Sequence, residues 1–471
     1  MIASKRSSAV TTATDHEIGV AERFARLGPE QDGHDPRWLA DARRGAAEWV
    51  KAHGFPTSKD EDWRYTGLGP ILDMPLEPAG GRVDDALAAE AIDALSMNLG
   101  GARLAFVNGH FAPRLSRLAG LPEHARISSL ASVLAEEEAR LRPLFARYFQ
   151  EHGDAFAALN AALVADGAFI DLPPGTTVDE PIELVFFTDT GGRPLLSSPR
   201  SVILVGSDSR ATIVEIHGGT SGDLYCTNAV TEIVLDEGAE IVHYNVQDEA
   251  ESAFHLASLE VRQGRESRFS SHLVALGSRI ARHEVRILLG GEGSEVNLDG
   301  LYLPRGDQHH DHPVLVEHAA PHCRSHQLYK GIVDERGHGV FNGHVVVQSG
   351  AIGTDASQTN KNLLLSDHAE VDTRPRLEIF ADDVACSHGA AVGRLDKDAL
   401  FYLRSRGIAE PLARGLIVEG FAREMVERLE LEPLRSRVET LIAGRLATTE
   451  DDHWLSSGST AGADRPSGNP R

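Results

Sequence analysis

Between Ala168 and about Ala391 the chain runs for more than two hundred residues with little helical periodicity. Short runs rich in Val, Ile, Leu and Thr take its place, broken by Gly, Asp, Glu and Ser. Examples are Ser201–Val205, Ala211–Ile216, Val230–Leu235 and Glu240–Tyr244. Three junctions resemble one another: Asp236-Glu-Gly-Ala-Glu-Ile, Gly291-Glu-Gly-Ser-Glu-Val and Ser366-Asp-His-Ala-Glu-Val. In each, an acidic or small turn precedes a β-branched entry residue by a few positions. A stretch of this kind folds as a large sandwich, a barrel or a β-solenoid. Turn-then-strand junctions with no long helices between them favour the solenoid, whose stacked coils bury one continuous core. Its ends and lateral edge need covers, which suits helical domains on both sides.

Helical signals do flank it. Trp38, Leu39, Ala42, Ala46 and Trp49 form one apolar stripe that ends near Gly54 and Pro56. Residues 84–97 and 128–164 are Ala/Leu-rich, whereas Arg103–Asn108 reads as a strand leading into a turn. Lys59–Thr66 mixes charges and aromatics and, taken alone, reads as an exposed helix start. Past Gly393, Asp396 or Asp398 can cap a helix that ends at Gly407, and Pro411 opens a longer one. There Leu412, Leu416, Ile417, Phe421, Met425, Val426 and Leu429 form an apolar face. The expected organisation is a flexible extension over 1–30, a mainly helical domain over 31–160, and a β core over 161–392. A C-terminal helical domain over 393–450 and a disordered tail over 451–471 complete it.

Composition narrows the function. The formal charge of −24 disfavours nucleic acid and anionic membranes, both of which repel an acidic surface. No apolar run is long enough to span a bilayer, and the polar start Met1–Thr12 lacks a secretory core. Three widely spaced cysteines, Cys226, Cys323 and Cys386, argue against a disulfide framework and fit a reducing cytoplasm. They also exclude a self-contained four-cysteine cluster site.

Two stretches carry soft metal ligands. In an extended Val384–His388 segment, Cys386 and His388 point to the same side of the strand, half of a metal site at most. The plainer alternative is a small buried cysteine beside a hydrogen-bonded histidine. Asp307–His326 holds His309, His310, His312, His318, His322, Cys323 and His326, but its spacings match no helix-face or CxxC geometry. Both a structural and a metal or partner role remain open for it. No phosphate loop, GxSxG elbow or HExxH helix occurs, and Gly337–Gly343 misses the GxGxxG spacing. No nucleotide site is expected on this chain, so any ATP hydrolysis belongs to another subunit.

The chain resembles the SufB/SufD family of the SufBCD iron–sulfur cluster assembly complex, on its SufD side. The resemblance rests on Ala385-Cys-Ser-His-Gly-Ala390, Val392-Gly393 and Phe401-Tyr-Leu-Arg-Ser-Arg-Gly407. Asp62-Trp-Arg-Tyr-Thr66, Asp311–His318, Tyr329–Ile332 and Gln358–Leu363 add to it. SufB usually has Val-Glu-His-Glu-Ala where this chain has Cys386-Ser-His-Gly-Ala390. The resemblance implies a right-handed parallel β-helix between N- and C-terminal helical domains, and a heterodimer with SufB through the β-helices. It implies docking of the ATPase SufC on the C-terminal helices, for which Phe401, Tyr402, Leu403, Arg404, Leu416, Phe421 and Met425 are the candidates. It further implies a non-catalytic scaffold on which a transient iron–sulfur cluster, shared with SufB, assembles at the interface. His388 matches the family's interface histidine, and Cys386 is the neighbouring candidate. The polar N-terminal extension and the longer tail depart from the family pattern. Two readings compete with the scaffold: a β-helix enzyme acting on carbohydrate or acyl groups, and a stand-alone metal-binding protein using residues 307–326.

Overall fold

A computed structural model describes residues 21–27, 35–80, 85–118 and 120–446. Most of the extension expected over 1–30, and the tail expected over 451–471, lie outside the described residues. The chain divides into two compact units, Met1–Arg394 and Leu395–Arg471.

The first unit is a parallel β-solenoid of about eight coils. Each full coil gives one strand to each of two sheets. One sheet stacks Ala168–Leu172, Arg200–Val205, Tyr225–Leu235, Phe254–Gln263, Ile280–Leu289, His309–His318 and His338–Val347. It ends on the short strands Glu370–Thr373 and Arg376–Ile379. The other begins at Arg103–Val107 and stacks Ile182–Thr188, Arg210–Gly219, Glu240–Asp248, Arg268–Ala275, Glu295–Tyr302, Arg324–Val333, Asp355–Leu364 and Ala385–Arg394. Arg103–Val107 therefore puts part of the 31–160 stretch, expected to be mainly helical, into the β-helix itself.

The strand entries fall where the acidic junctions are: Glu240, Glu295 and Glu370 each open a strand. What repeats physically is one corner. Asp208, Gly238, Glu266, Gly293, His322, Gly353 and Asp383 all have φ between 53° and 72° at successive coils. In this conformation the N–H of one corner reaches the next coil: Gly238 donates to Arg265 O at 2.8 Å, Glu266 to Glu292 O at 2.9 Å, and Gly353 to Asp383 O at 2.9 Å. Only glycine occupies this region without a steric cost, which explains the glycines there but leaves Glu266 and His322 under strain.

Between the sheets lies an apolar cluster that includes Val261, Phe269, Ile287, Val296, Leu298, Val316 and Phe341. Helices of the same unit include α1 (Arg37–His53), α2 (Asp85–Leu95), α3 (Glu138–His152) and α4 (Ala155–Leu163). Gly54 ends α1 at φ 71°, as the stripe and its breaker predict. Every residue of α4 is buried. Arg200, fully buried, ties this layer to the sheet: its Nη2 donates to Glu232 Oε2 at 2.7 Å and its Nη1 to Asn160 Oδ1 at 3.3 Å. Its guanidinium also lies 4.6 Å from the Phe145 ring centre.

The Lys59–Thr66 stretch is not an exposed helix start. Glu61–Trp63 forms a single tight turn, and Thr66 is buried. Arg282 lies over the Trp63 ring at 3.7 Å and donates to Asp62 O at 3.1 Å, so the segment is strapped onto the solenoid. The acidic residues pair with solenoid arginines instead of a helix dipole: Glu61 with Arg374 at 2.7 Å, and Asp62 with Arg376 at 3.4 Å.

The second unit holds α5 (Lys397–Ser405), α6 (Glu410–Val426) and α7 (Glu432–Leu446). Asp396 caps α5, accepting from Asp398 N at 2.8 Å and Ala399 N at 3.3 Å. In α6 the buried side is Ala413, Val418, Ala422, Met425 and Val426, while Leu412 and Leu416 are exposed. The small alanines let α6 pack closely, which turns the larger leucines outward.

Candidate functional site

Ala385–Arg394 is the last strand of its sheet. Among the described residues it pairs only with Asp355–Leu364, with Cys386 opposite Ala356 and His388 opposite Gln358. Ala385 N donates to Thr354 O at 2.8 Å. In a parallel ladder, the N–H and C=O of one residue face the same neighbour, and successive residues alternate. The backbone groups of Cys386, His388, Ala390 and Val392 therefore face the open edge. Apart from half-buried Cys386, every residue of this strand is exposed.

The two predicted ligands sit on the same face but in different surroundings. Cys386 packs against the solenoid core, whereas His388 is exposed. Burial pushes the Cys386 thiol above its ordinary range, and the Asp355 charge adds to this against the opposing Ala356 N–H. A thiol in that state becomes a ligand only when a metal displaces its proton. Cys226 and Cys323 are buried elsewhere, and burial drives the Cys226 thiol up more strongly still. Among the described residues, no group of three or more His, Cys, Asp and Glu is arranged to hold a metal ion. On this chain Cys386 and His388 can supply only part of a coordination sphere.

Behind His388 the interior is polar. In the same ladder lie Gln358 and Gln327, and Gln358 Nε2 donates to Gln327 Oε1 at 3.0 Å. Beside them Tyr302 donates to Asn362 Oδ1 at 2.5 Å, and Asn362 Nδ2 to Asn360 Oδ1 at 2.6 Å.

The histidine-rich segment divides between two surroundings. His310, His312 and His318 are buried in the solenoid: His310 Nε2 bonds Gly277 O at 2.9 Å and His318 Nε2 bonds Ser325 Oγ at 2.8 Å. Burial lowers the pKa of His312 to about 3 and of His318 to about 4. His309 instead meets the 61–66 strap, and His322 and His326 are exposed.

Sequence reasoning missed the column to which His312 belongs. His217, His255, His283 and His312 follow one another with ring centres 4.9, 4.8 and 5.5 Å apart, and Tyr302 continues the column at 4.5 Å. Two buried carboxylates attend it: Glu215 lies 2.8 Å from His217 and Glu249 lies 2.8 Å from His255. Burial alone would raise the Glu215 carboxyl, but hydrogen bonds from His217 and His243 hold it below the usual range. The signal was the coil-length interval between His255, His283 and His312.

Of the predicted partner-binding residues, Phe401 is 74% and Tyr402 57% exposed, and Arg404 and Leu416 are exposed as well. Leu403 and Phe421 are half-buried. Met425, at 4% exposure, is an interior residue and not one a partner meets.

Comparison with known proteins adds the family. Residues 186–421 match the family model described as "SUF system FeS cluster assembly, SufBD core domain", and residues 24–184 match "SufBD protein N-terminal region". An iron–sulfur cluster assembly SufBD family protein of Synechocystis is 32% identical over 445 residues, covering 92% of this chain and 96% of the relative. The iron–sulfur cluster assembly protein SufD of Escherichia coli is 32% identical over 395 residues, covering 83% and 90%. SufD of Bacillus subtilis is 26% identical over 441 residues, covering 90% and 98%.

Proposed function

The chain belongs to the SufBD family of the SUF iron–sulfur cluster assembly system, and we propose that within it the chain is a non-catalytic scaffold paired with a SufB-type paralogue. The observation that carries this reading is an exposed His388 beside half-buried Cys386 on a strand whose outer edge is open. An added strand would find the backbone groups of Cys386, His388, Ala390 and Val392 ready to pair, with main-chain bonds giving affinity. The nascent cluster is cargo at that seam, ligated here by His388, with Cys386 the second candidate and the paralogue completing the set. Exposed Phe401, Tyr402 and Leu416 supply the apolar contacts for a SufC-type ATPase, where nucleotide is bound and hydrolysed. No described helix is long and apolar enough to cross a membrane.

The test is His388→Ala in the co-expressed complex. Assembly should be retained, while iron and acid-labile sulfide recovered with the complex fall. Unchanged iron and sulfide would remove His388 from the mechanism.

A further inference from the structure

His309 and His338 occupy matching positions on adjacent strands of the first sheet, with their Nδ1 atoms 3.2 Å apart. Their outer nitrogens are both engaged. His338 Nε2 lies 2.9 Å from Asp372 Oδ2, so it carries the proton and donates. His309 Nε2 lies 2.9 Å from Thr66 Oγ1, and that hydroxyl gives its only proton to Asp311 Oδ2 at 2.6 Å. Asp311 in turn is an ion-pair acceptor from Arg282. Thr66 Oγ1 must therefore accept from His309 Nε2–H. In a neutral imidazole only one nitrogen carries hydrogen. Both Nδ1 atoms then present lone pairs to each other at close range, an arrangement that only a cation between them makes favourable.

We propose that His309 and His338 form a binding site for a single borderline divalent transition metal ion, of the Fe2+ or Zn2+ class, held through their two Nδ1 atoms. Nitrogen ligands at about 2.0–2.1 Å from such an ion stand about 2.9–3.4 Å apart between octahedral and tetrahedral angles. The observed separation falls in that range. The outer contacts fit as well: metal-bound histidines characteristically donate their other N–H to a carboxylate or another acceptor, which fixes the tautomer. Asp372 does this for His338, and Thr66, itself held by Asp311, does it for His309. Both imidazoles are half-buried, so the remaining coordination positions are open to water or to a ligand from another molecule. This site uses neither Cys386 nor His388 and stands independently of the role proposed for them. It also gives the 61–66 strap a second purpose, because Thr66 sets the His309 tautomer.

The test uses the full chain, stripped with chelator and titrated with Co2+ as a spectroscopic probe, then with Fe2+ under anaerobic conditions. The expected result is one ion bound with visible absorption of a nitrogen-ligated site. His338→Ala, with its fold verified by circular dichroism, should weaken that ion at least tenfold, and Asp372→Asn should weaken it about tenfold or more. His388→Ala should leave it unchanged. Equal affinity in the parent and in His338→Ala overturns the proposal, as does loss of the ion in His388→Ala. Absence of any stoichiometric ion would assign the close nitrogens to a shared proton and overturn it too.

Discussion

His388 stands in register with Gln358, a fully interior amide whose Oε1 has no hydrogen-bond partner among the described residues. A buried acceptor left unmade costs about 1–3 kcal/mol, whereas replacing both members of a buried amide pair with apolar groups is close to neutral. The double variant Gln327→Leu with Gln358→Leu should therefore unfold within about 1 kcal/mol of the parent, or at higher denaturant. If Gln358 serves His388, the same variant lowers iron and sulfide in the co-expressed complex. Urea unfolding and metal analysis on one preparation separate the two effects.

The open edge predicts a selective variant. Ala390 turns its N–H away from the Asp355–Leu364 ladder, so proline there deletes no bond of that ladder. Ala390→Pro should keep the parent's circular dichroism and melting temperature, yet weaken pairing with a SufB-type partner at least tenfold. Co-purification from a dual-tag expression reads this directly. Gly389→Pro, which faces the ladder, should instead destabilise the chain itself.

The repeated corner makes opposite predictions for two of its residues. Glu266 holds φ 54° without being glycine, so Glu266→Gly should raise stability by about 1 kcal/mol. Its exposed pairing with Arg265 is too weakly held to matter in comparison. Gly353→Ala should do the reverse, because a Cβ there would lie 2.3 Å from His322 Nδ1 at φ 70°. Denaturant midpoints of the two variants against the parent check both signs.

Acid should unfold the solenoid through its buried histidines. His312 and His318 titrate near 3 and 4 in the fold, below the ordinary 6.5, because burial disfavours the cation. A histidine with a lowered folded pKa contributes stability that is complete above about pH 6.5 and is lost as pH falls. From pH 6.5 to 4 each withdraws about 3 kcal/mol. His318→Gln should flatten that limb of a stability–pH curve.

Asp154 works in the opposite sense. Burial, aided by the Glu284 charge, raises its carboxyl to about 6 although it caps α4 through Phe156 N and Ala157 N. The unfolded carboxyl ionises from about pH 3.8 while the folded one holds its proton to about pH 6, so stability is lost as pH rises between those values. Asp154→Asn, an equally good cap, should therefore be stabilising at pH 8. Thermal melts at pH 8, 5 and 3 should show the gain in full at pH 8, in part at pH 5 and not at pH 3.

The solenoid was legible because each coil restarts with the same local chemistry: Asp236–Ile241 and Gly291–Val296 announce both a turn and the strand that follows it. Partners were harder to read. Arg103–Val107 was recognisable as a strand, but five apolar-leaning residues do not say that the strand they will join is Ile182–Thr188. The 61–66 strap escaped for a related reason. Trp63 and Thr66 acquire their meaning from Arg282 and Asp311, more than two hundred residues away. Met425 shows the limit of helical periodicity, which identifies an apolar side but not whether its own unit or a partner covers it. For Cys386 and His388, two-residue spacing gave the shared face. The difference in exposure came from the coil beneath them.

The amides at the end of the solenoid have a consequence for what can be added there. Gln327, Gln358, Asn360 and Asn362 line the interior of the last coils with amides. A further coil of valines and leucines would gain little by stacking on them, so the stop signal for growth is written inside the stack. A chain that extends the sheet at this end meets instead a hydrogen-bonding interior, better suited to an ionic passenger than to another layer of oil.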